Sequence, residues 1–408
     1  MPTAPLLLAK RLEPALPELS RELIAEVEEV VAAIRTLDGR VAGGLVHVVR
    51  PTFRMAHTHH SLYIEDRPST LTELAKAVAA PPKKRKRARD PEADLRASIA
   101  ILEWLHEGDG RARALTAPTD VTLLSELHER FYSKLTTEAR RLRVEDSGRE
   151  VDVNPGRWRA ENVRVGTHWA PEAEDIDALV DRWSARFDPT HFGSDAERLL
   201  ASIVSHHRLL FIHPFRDGNG RVARFAFDAA LIALGLDAKG SWTSARGFAR
   251  SRRAYYEALG AADAERRNAS DGRGDRSAAG LLHWCRYVLG VIRDQVAFTA
   301  ALLEPPLLRS RVRSAVTAAI GGRGSTSENA ARLVLSVWEH GPLTRGEIVR
   351  ESAVPDRSAR RLLSELAALG WVREVAGEDK RAAPLVGALP ITEAPAVFPN
   401  LFLPDAYG

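Results

Sequence analysis

The chain has 408 residues, 45% of them apolar and 27% charged, with a formal net charge of +4. That balance excludes a disordered chain, and the length exceeds what one hydrophobic core usually serves, so two or three domains are expected. No apolar run approaches the roughly 20 residues that span a bilayer, Cys285 is the only cysteine, and Met1–Pro14 holds just the short run Leu6–Ala9 with no basic residue ahead of it. These features argue against a membrane span, an intrachain disulfide and a secretory leader, and a cytoplasmic location is expected.

In chain order, Leu19–Leu37 sets Leu23, Ile24, Val27, Val30, Val31 and Ile34 at helical spacing among glutamates, and Asp38-Gly39 stops the pattern. Next, His57-Thr-His-His-Ser-Leu-Tyr-Ile-Glu-Asp66 gathers three histidines and two carboxylates. The spacing is poor for a metal site, because no second cluster completes a shell. The basic stretch 81–89 reads as a solvated linker that adds salt-sensitive affinity for nucleic acid. Leu95, Ile99, Leu102 and Leu105 mark one helix, and Leu123, Leu124, Leu127 and Phe131 another. Residues 154–169 then change character: turn residues lead into alternation at Val163 and Val165 among bulky aromatics, which predicts a short β-hairpin flap. A further helix runs from Pro171 through Phe187.

The most informative stretch is His213-Pro-Phe-Arg-Asp-Gly-Asn-Gly-Arg-Val-Ala-Arg224. Apolar residues at helical spacing precede it over Asp195–Ile212. The run that follows, Arg221–Leu234, is apolar nearly all round, which predicts a buried helix. The stretch is therefore a loop entering the N-terminus of a core helix, a ready anion site. Gly218 and Gly220 let successive N–H groups point inward, and Asn219 can hold the loop closed. Asp217 is a hard oxygen ligand suited to Mg²⁺, and Arg221 and Arg224 share one helical face as forked donors. His213 is the group able to take a proton near neutral pH.

Beyond it, Ser244–Leu259 carries the paired tyrosines Tyr255 and Tyr256, candidates to stack on a base. A long helix is predicted over Leu281–Leu303. From Ser327, three helices and a two-stranded wing (Trp371–Val375 and Ala382–Gly387) give a winged-helix pattern, with Arg357, Arg360 and Arg361 on its third helix and Lys380 and Arg381 in the wing. The apolar tail Phe398–Leu403 is suited to docking back onto the core or onto a partner.

The stretch at 213–224 resembles the signature of the Fic family, His-x-Phe-x-Asp/Glu-Gly-Asn-Gly-Arg-x-x-Arg, at every specified position. The resemblance implies a protein adenylyltransferase that moves AMP from ATP to a hydroxyl side chain of a target protein. It implies His213 as the base, Asp217 as the Mg²⁺ ligand, and Gly218, Asn219, Gly220 and Arg221 around the phosphates. Arg224 would reach the γ-phosphate. Ser61-Leu-Tyr-Ile-Glu65 further resembles the family's inhibitory helix, with Asp66 where Gly or Asn is usual. There Glu65 would pair with Arg224 and displace the γ-phosphate. The flap with Val163 and Val165 would pair with the target backbone.

The expected fold is mostly α. A helical Fic core (93–310) with a short β-hairpin flap follows an N-terminal helical region (1–92) that holds the inhibitory segment 57–68. A winged helix-turn-helix (325–388) and a tail (389–408) complete the chain. Transfer of phosphate, removal of AMP from a target, and a DNA-binding regulator with the core as nucleotide sensor are the alternatives. DNA at the winged helix and a second copy of the chain are the further partners considered.

Overall fold

The computed structural model describes residues 10–402 apart from 42, 80–90, 144–149, 167, 273, 322–323 and 376–382. The basic stretch at 81–89 and the wing tip with Lys380 and Arg381 lie outside the described residues. Helices dominate, and the strands form three antiparallel pairs. No helix among the described residues is long and apolar enough to cross a membrane.

Two helices carry the predicted loop. Helix α8 (Asp195–Ile212) begins at Ser194 with a reciprocal capping box to Glu197, which satisfies backbone donors that would otherwise be left bare. Helix α9 (Asn219–Ala233) is enclosed on nearly all sides and packs along α8. Its ring of Val222, Ala223, Phe225, Phe227, Ala229 and Leu231 leaves no solvent face, as the sequence predicts. Tryptophans lock α8 from two sides. Trp183 of α7 (Ile176–Arg186) donates to Ser205 O at 3.1 Å, and Trp284 of α12 (Ala278–Leu302) donates to Ile203 O at 2.9 Å.

Helix α12 also packs on α1 (Arg21–Arg40) and α11 (Arg252–Asp263). The approach to α11 is close: a Cβ on Gly280 would lie 2.0 Å from the Ala261 carbonyl oxygen. Backbone cannot yield as a side chain can. Gly280→Ala is therefore expected to destabilise the chain by about 1–3 kcal/mol, read as a lower denaturant midpoint at unchanged slope.

Helix α2 (Val46–Ile64) has no simple apolar stripe, because it is buried almost all round, polar residues included. It packs on α4 (Pro91–Glu107) and α10 (Ser244–Arg250). Its three histidines diverge. His57 faces Thr243 at 3.0 Å and Asp228 at 3.2 Å, His59 faces Ser69 at 3.0 Å, and His60 meets Leu401 O at 2.9 Å. Among the described residues no group of His, Cys, Asp or Glu could hold a metal ion by itself.

The C-terminal part follows the predicted element order: α14 (Ser325–His340), α15 (Arg345–Ser352), α16 (Asp356–Ala368), then β5 (Val372–Glu374) paired with β6 (Leu385–Gly387). Arg357, Arg360 and Arg361 are exposed on α16, and Arg360 pairs with Asp356 at 3.0 Å. The tail returns to the core. Phe398 meets Phe53 edge-on, and Asn400 O accepts from Arg246 Nε and Nη2 at 3.1 and 2.8 Å.

Candidate active site

Helix α8 ends on His213 in left-handed geometry (φ 51°, ψ 58°), which swings the chain sharply into the loop. Asn219 then latches that loop: its Oδ1 accepts from Phe215 N and its Nδ2 donates to Phe215 O, both at 2.8 Å. Phe215 is fully buried and stacks on His128 of α6 (Val121–Tyr132) at 3.9 Å between centroids. His128 Nδ1 accepts from Gly156 N at 2.9 Å, so its Nε2 carries the proton and donates to Asp217 O at 3.2 Å. Gly218 (φ 80°) is required twice. It takes a backbone conformation that side chains disfavour, and a Cβ there would strike the Tyr132 ring at 2.8 Å.

His213 Nδ1 donates to Leu210 O at 3.3 Å, which leaves Nε2 as the proton acceptor. Burial pushes the imidazole down to about 4, against the pull of that carbonyl, so the ring is neutral across the physiological range. One edge of it opens into a cavity of about 420 Å³ whose wall also includes Glu65, Val165, Gly220, Arg224, Tyr255, Tyr256 and Asp263.

Asp217 sits on the other side of the loop. Its Oδ2 accepts from the Tyr132 hydroxyl at 2.6 Å, Arg221 Nη2 at 3.1 Å and Arg67 Nη2 at 3.4 Å. Burial would raise this carboxyl, but the Arg221 and Arg67 guanidinium groups and the phenol outweigh it and hold it at about 2. In this arrangement Asp217 does not fit a divalent cation, because two positive groups already share the oxygen it would offer. Arg221 is enclosed over the Phe131 ring, with Nε and Nη1 buried and unpartnered. Such bare donors are costly unless an anion completes them.

Arg224 is just as deeply buried and fully engaged by α2. Its Nε donates to Ser61 Oγ at 2.8 Å, and its Nη2 donates to Ser61 O at 3.0 Å and to Glu65 Oε1 at 2.7 Å. Burial alone would lower the guanidinium, yet the Glu65 carboxylate raises it above its ordinary value. Glu65 lies directly over the start of α9, where a Cβ on Gly220 would come within 2.1 Å of Oε1. Asp66 has φ 55°, which explains why a Gly or Asn position tolerates it: Asp shares the short polar side chain that makes left-handed backbone accessible.

Residues 118–231 match the Fic/DOC family. The chain carries a Fic domain. A protein adenylyltransferase Fic from Nematostella vectensis is 34% identical over 92 residues, 22% of this chain and 21% of that protein. One from Drosophila virilis is 22% identical over 232 residues, 52% and 43% of the two chains. The matched stretches thus span less than half the length of these curated relatives. A Fic family protein from Desulfovibrio desulfuricans superposes at TM-score 0.48 with 18% identity, covering 91% of this chain and 98% of that one. A Fic domain containing signaling protein from Bacteroides thetaiotaomicron superposes at 0.45 with 16% identity, covering 67% and 95%.

Beside the Fic domain's loop, β3 (Arg164–Val165) and β4 (His168–Trp169) form the predicted flap, with Val165 opposite His168. Val165 lines the cavity, and Val163 extends the pairing through its carbonyl, which accepts from Ala170 N at 3.3 Å. The paired tyrosines part company. Tyr255 is buried in an aromatic cluster with its hydroxyl 3.1 Å from His206 Nε2, whereas Tyr256 is 47% exposed and donates to Ile64 O at 3.0 Å. Only the second offers a ring face to a ligand.

Sequence reasoning missed three residues here. Arg159, which is buried, donates to His213 O at 2.8 Å and to the carbonyls of Glu161 and Pro171, tying the flap to the loop. Tyr132 bridges Asp217 and Arg221, its hydroxyl also accepting from Arg221 Nη2 at 2.8 Å. Arg67 reaches Asp217 from the N-terminal region. For Arg67 a signal existed, a cation just beyond the inhibitory pattern; the other two carry none.

Proposed function

We propose that the Fic domain transfers AMP from ATP to a hydroxyl side chain of a target protein, and that Ser61 and Glu65 hold it in check. The observation that carries the reading is a neutral His213 opening into the same cavity as the N-terminus of α9, where anions are favoured. His213 Nε2 takes the proton of the target hydroxyl as its oxygen attacks the α-phosphorus. The bond to the β-bridging oxygen breaks, and pyrophosphate leaves with that electron pair. Backbone donors at Asn219 and Gly220 and the unpartnered Arg221 donors stabilise the charge on the phosphates, a contribution that preorganised groups make without reorganising.

The check is electrostatic. Arg224 is the cation placed to receive the γ-phosphate, and Glu65 and Ser61 occupy it. The flap with Val165 on the cavity wall offers a backbone edge to the target.

ATP labelled at the α- or the γ-phosphate tests this. With cell lysate as the source of target, the α-label is expected on protein, rising at least about tenfold in Glu65→Gly as the Arg224 contact is lost. Transfer of the γ-label would assign phosphate transfer instead. No label on any protein with either variant would sink the transferase reading, and an unchanged signal in Glu65→Gly would sink the autoinhibition.

A further inference from the structure

The segment that carries Glu65 does more than reach Arg224. Residues 65–67 are consecutive, and each meets a different charged group: Glu65 pairs with Arg224 at 2.7 Å, Asp66 with Arg252 at 2.6 Å, and Arg67 with Asp217 at 3.4 Å and Asp94 at 2.9 Å. The left-handed turn at Asp66 points neighbouring side chains to opposite ends of the signature loop. That turn is closed by Arg67 N donating to Leu62 O at 2.9 Å, so positions 65 and 67 are joined by a hydrogen-bonded backbone.

We infer that Arg67 is a second inhibitory residue, whose guanidinium stands in the cation's place at Asp217. The segment thereby closes both ends of the nucleotide site. Glu65 fills the anion position at Arg224, and Arg67 fills the cation position at Asp217. A guanidinium and a divalent ion cannot share one carboxylate oxygen, so metal-bound nucleotide must displace Arg67. Asp94, on α4, is placed to receive it: Arg67 Nη1 already bonds Asp94 Oδ2, and only the weaker Nη2 contact to Asp217 has to break. Because positions 65 and 67 share one turn, release of either contact favours release of the other. The inference rests on the nucleotide-transfer reading for the identity of the ligand.

The test reads binding and not turnover. In the full chain with His213→Ala, which prevents transfer, calorimetry compares ATP affinity with Mg²⁺ and with chelator. It is run with Glu65 intact and with Glu65→Gly. Arg67→Met, which keeps the packing stem and loses the charge, is expected to make Mg²⁺ tighten ATP by on the order of tenfold more than in the parent. Arg67→Lys keeps the charge and guards against misfolding; it is expected to stay near the parent. Adding Asp217→Asn to Arg67→Met should remove the gain. An Mg²⁺ effect within about twofold of the parent in Arg67→Met, or a gain that survives Asp217→Asn, overturns the assignment of Arg67 and leaves the transfer reading standing. ATP that binds none of the variants overturns both.

Discussion

His213→Ala is expected to lower AMP transfer about 10²–10⁴-fold, the range that general-base catalysis contributes, with ATP affinity essentially unchanged. The geometry separates the two effects. His213 opens onto the cavity through one ring edge, while the loop is held by Asn219 on Phe215, Tyr132 on Asp217 and Arg159 on the His213 carbonyl. The carbonyl contact uses backbone and survives the substitution. Loss should therefore fall on kcat and not on nucleotide Kd, read by single-turnover transfer of the α-label in the Glu65→Gly background.

The same histidine sets a pH expectation. Burial lowers it from 6.5 to about 4, so the proton is off, and the base form present, throughout pH 6–8. The rate of transfer should show no half-drop near 6.5 on descending that range. A clear inflection there would mean that the ring titrates as an open histidine, and the enclosure described here would be wrong for the working enzyme.

Acid is expected to unfold the chain abruptly. Burial holds His57, His106, His128 and His206 at about 3 and His213 at about 4, all far below the ordinary 6.5. Between those values and 6.5 the unfolded chain binds protons that the folded chain refuses. Stability therefore falls as pH drops through 6.5 and is insensitive to these groups above about pH 7.5. Asp228 and Asp237 act in the opposite sense, since burial raises both and the folded chain takes up their protons first. With two of five histidine protons offset, the net slope is about 4 kcal/mol per pH unit. Asp217, held at about 2, adds to the loss only below the ordinary carboxylate range. A domain of ordinary stability has about 5–15 kcal/mol in all. Denaturant midpoints should thus be level from pH 8 to 7.5 and drop steeply by pH 5.5. A level curve down to pH 5 would show that the histidines can be charged within the fold.

Much of this was legible in order along the chain. Helices α1, α4, α6, α8, α9, α12 and the three before the β5–β6 pair follow from apolar spacing, and α9 from the lack of any polar face. The loop at 213–224 was legible because its chemistry is local: Asn219 reaches Phe215 four residues back, and Gly218 turns on its own φ. Ser61 and Glu65 were legible through a resemblance, four residues apart on one helix, so spacing preserved them.

What spacing could not reach was the meeting of distant residues. Nothing in the order of the chain says that Tyr132 and Arg67 converge on Asp217, or that Arg159 binds the carbonyl of His213. Those contacts span 85, 150 and 54 positions. Nor could sequence tell Tyr255 from Tyr256. Adjacent side chains on a helix diverge by about 100°, and only the packing of α11 against His206 and Trp284 sends the first into the core and leaves the second at the cavity. The three histidines at 57–60 are the same lesson in reverse: neighbours in sequence, they are separated by the helix that carries them. Local chemistry was written in the order of residues, whereas the ends of the lock on Asp217 were brought together by tertiary packing alone.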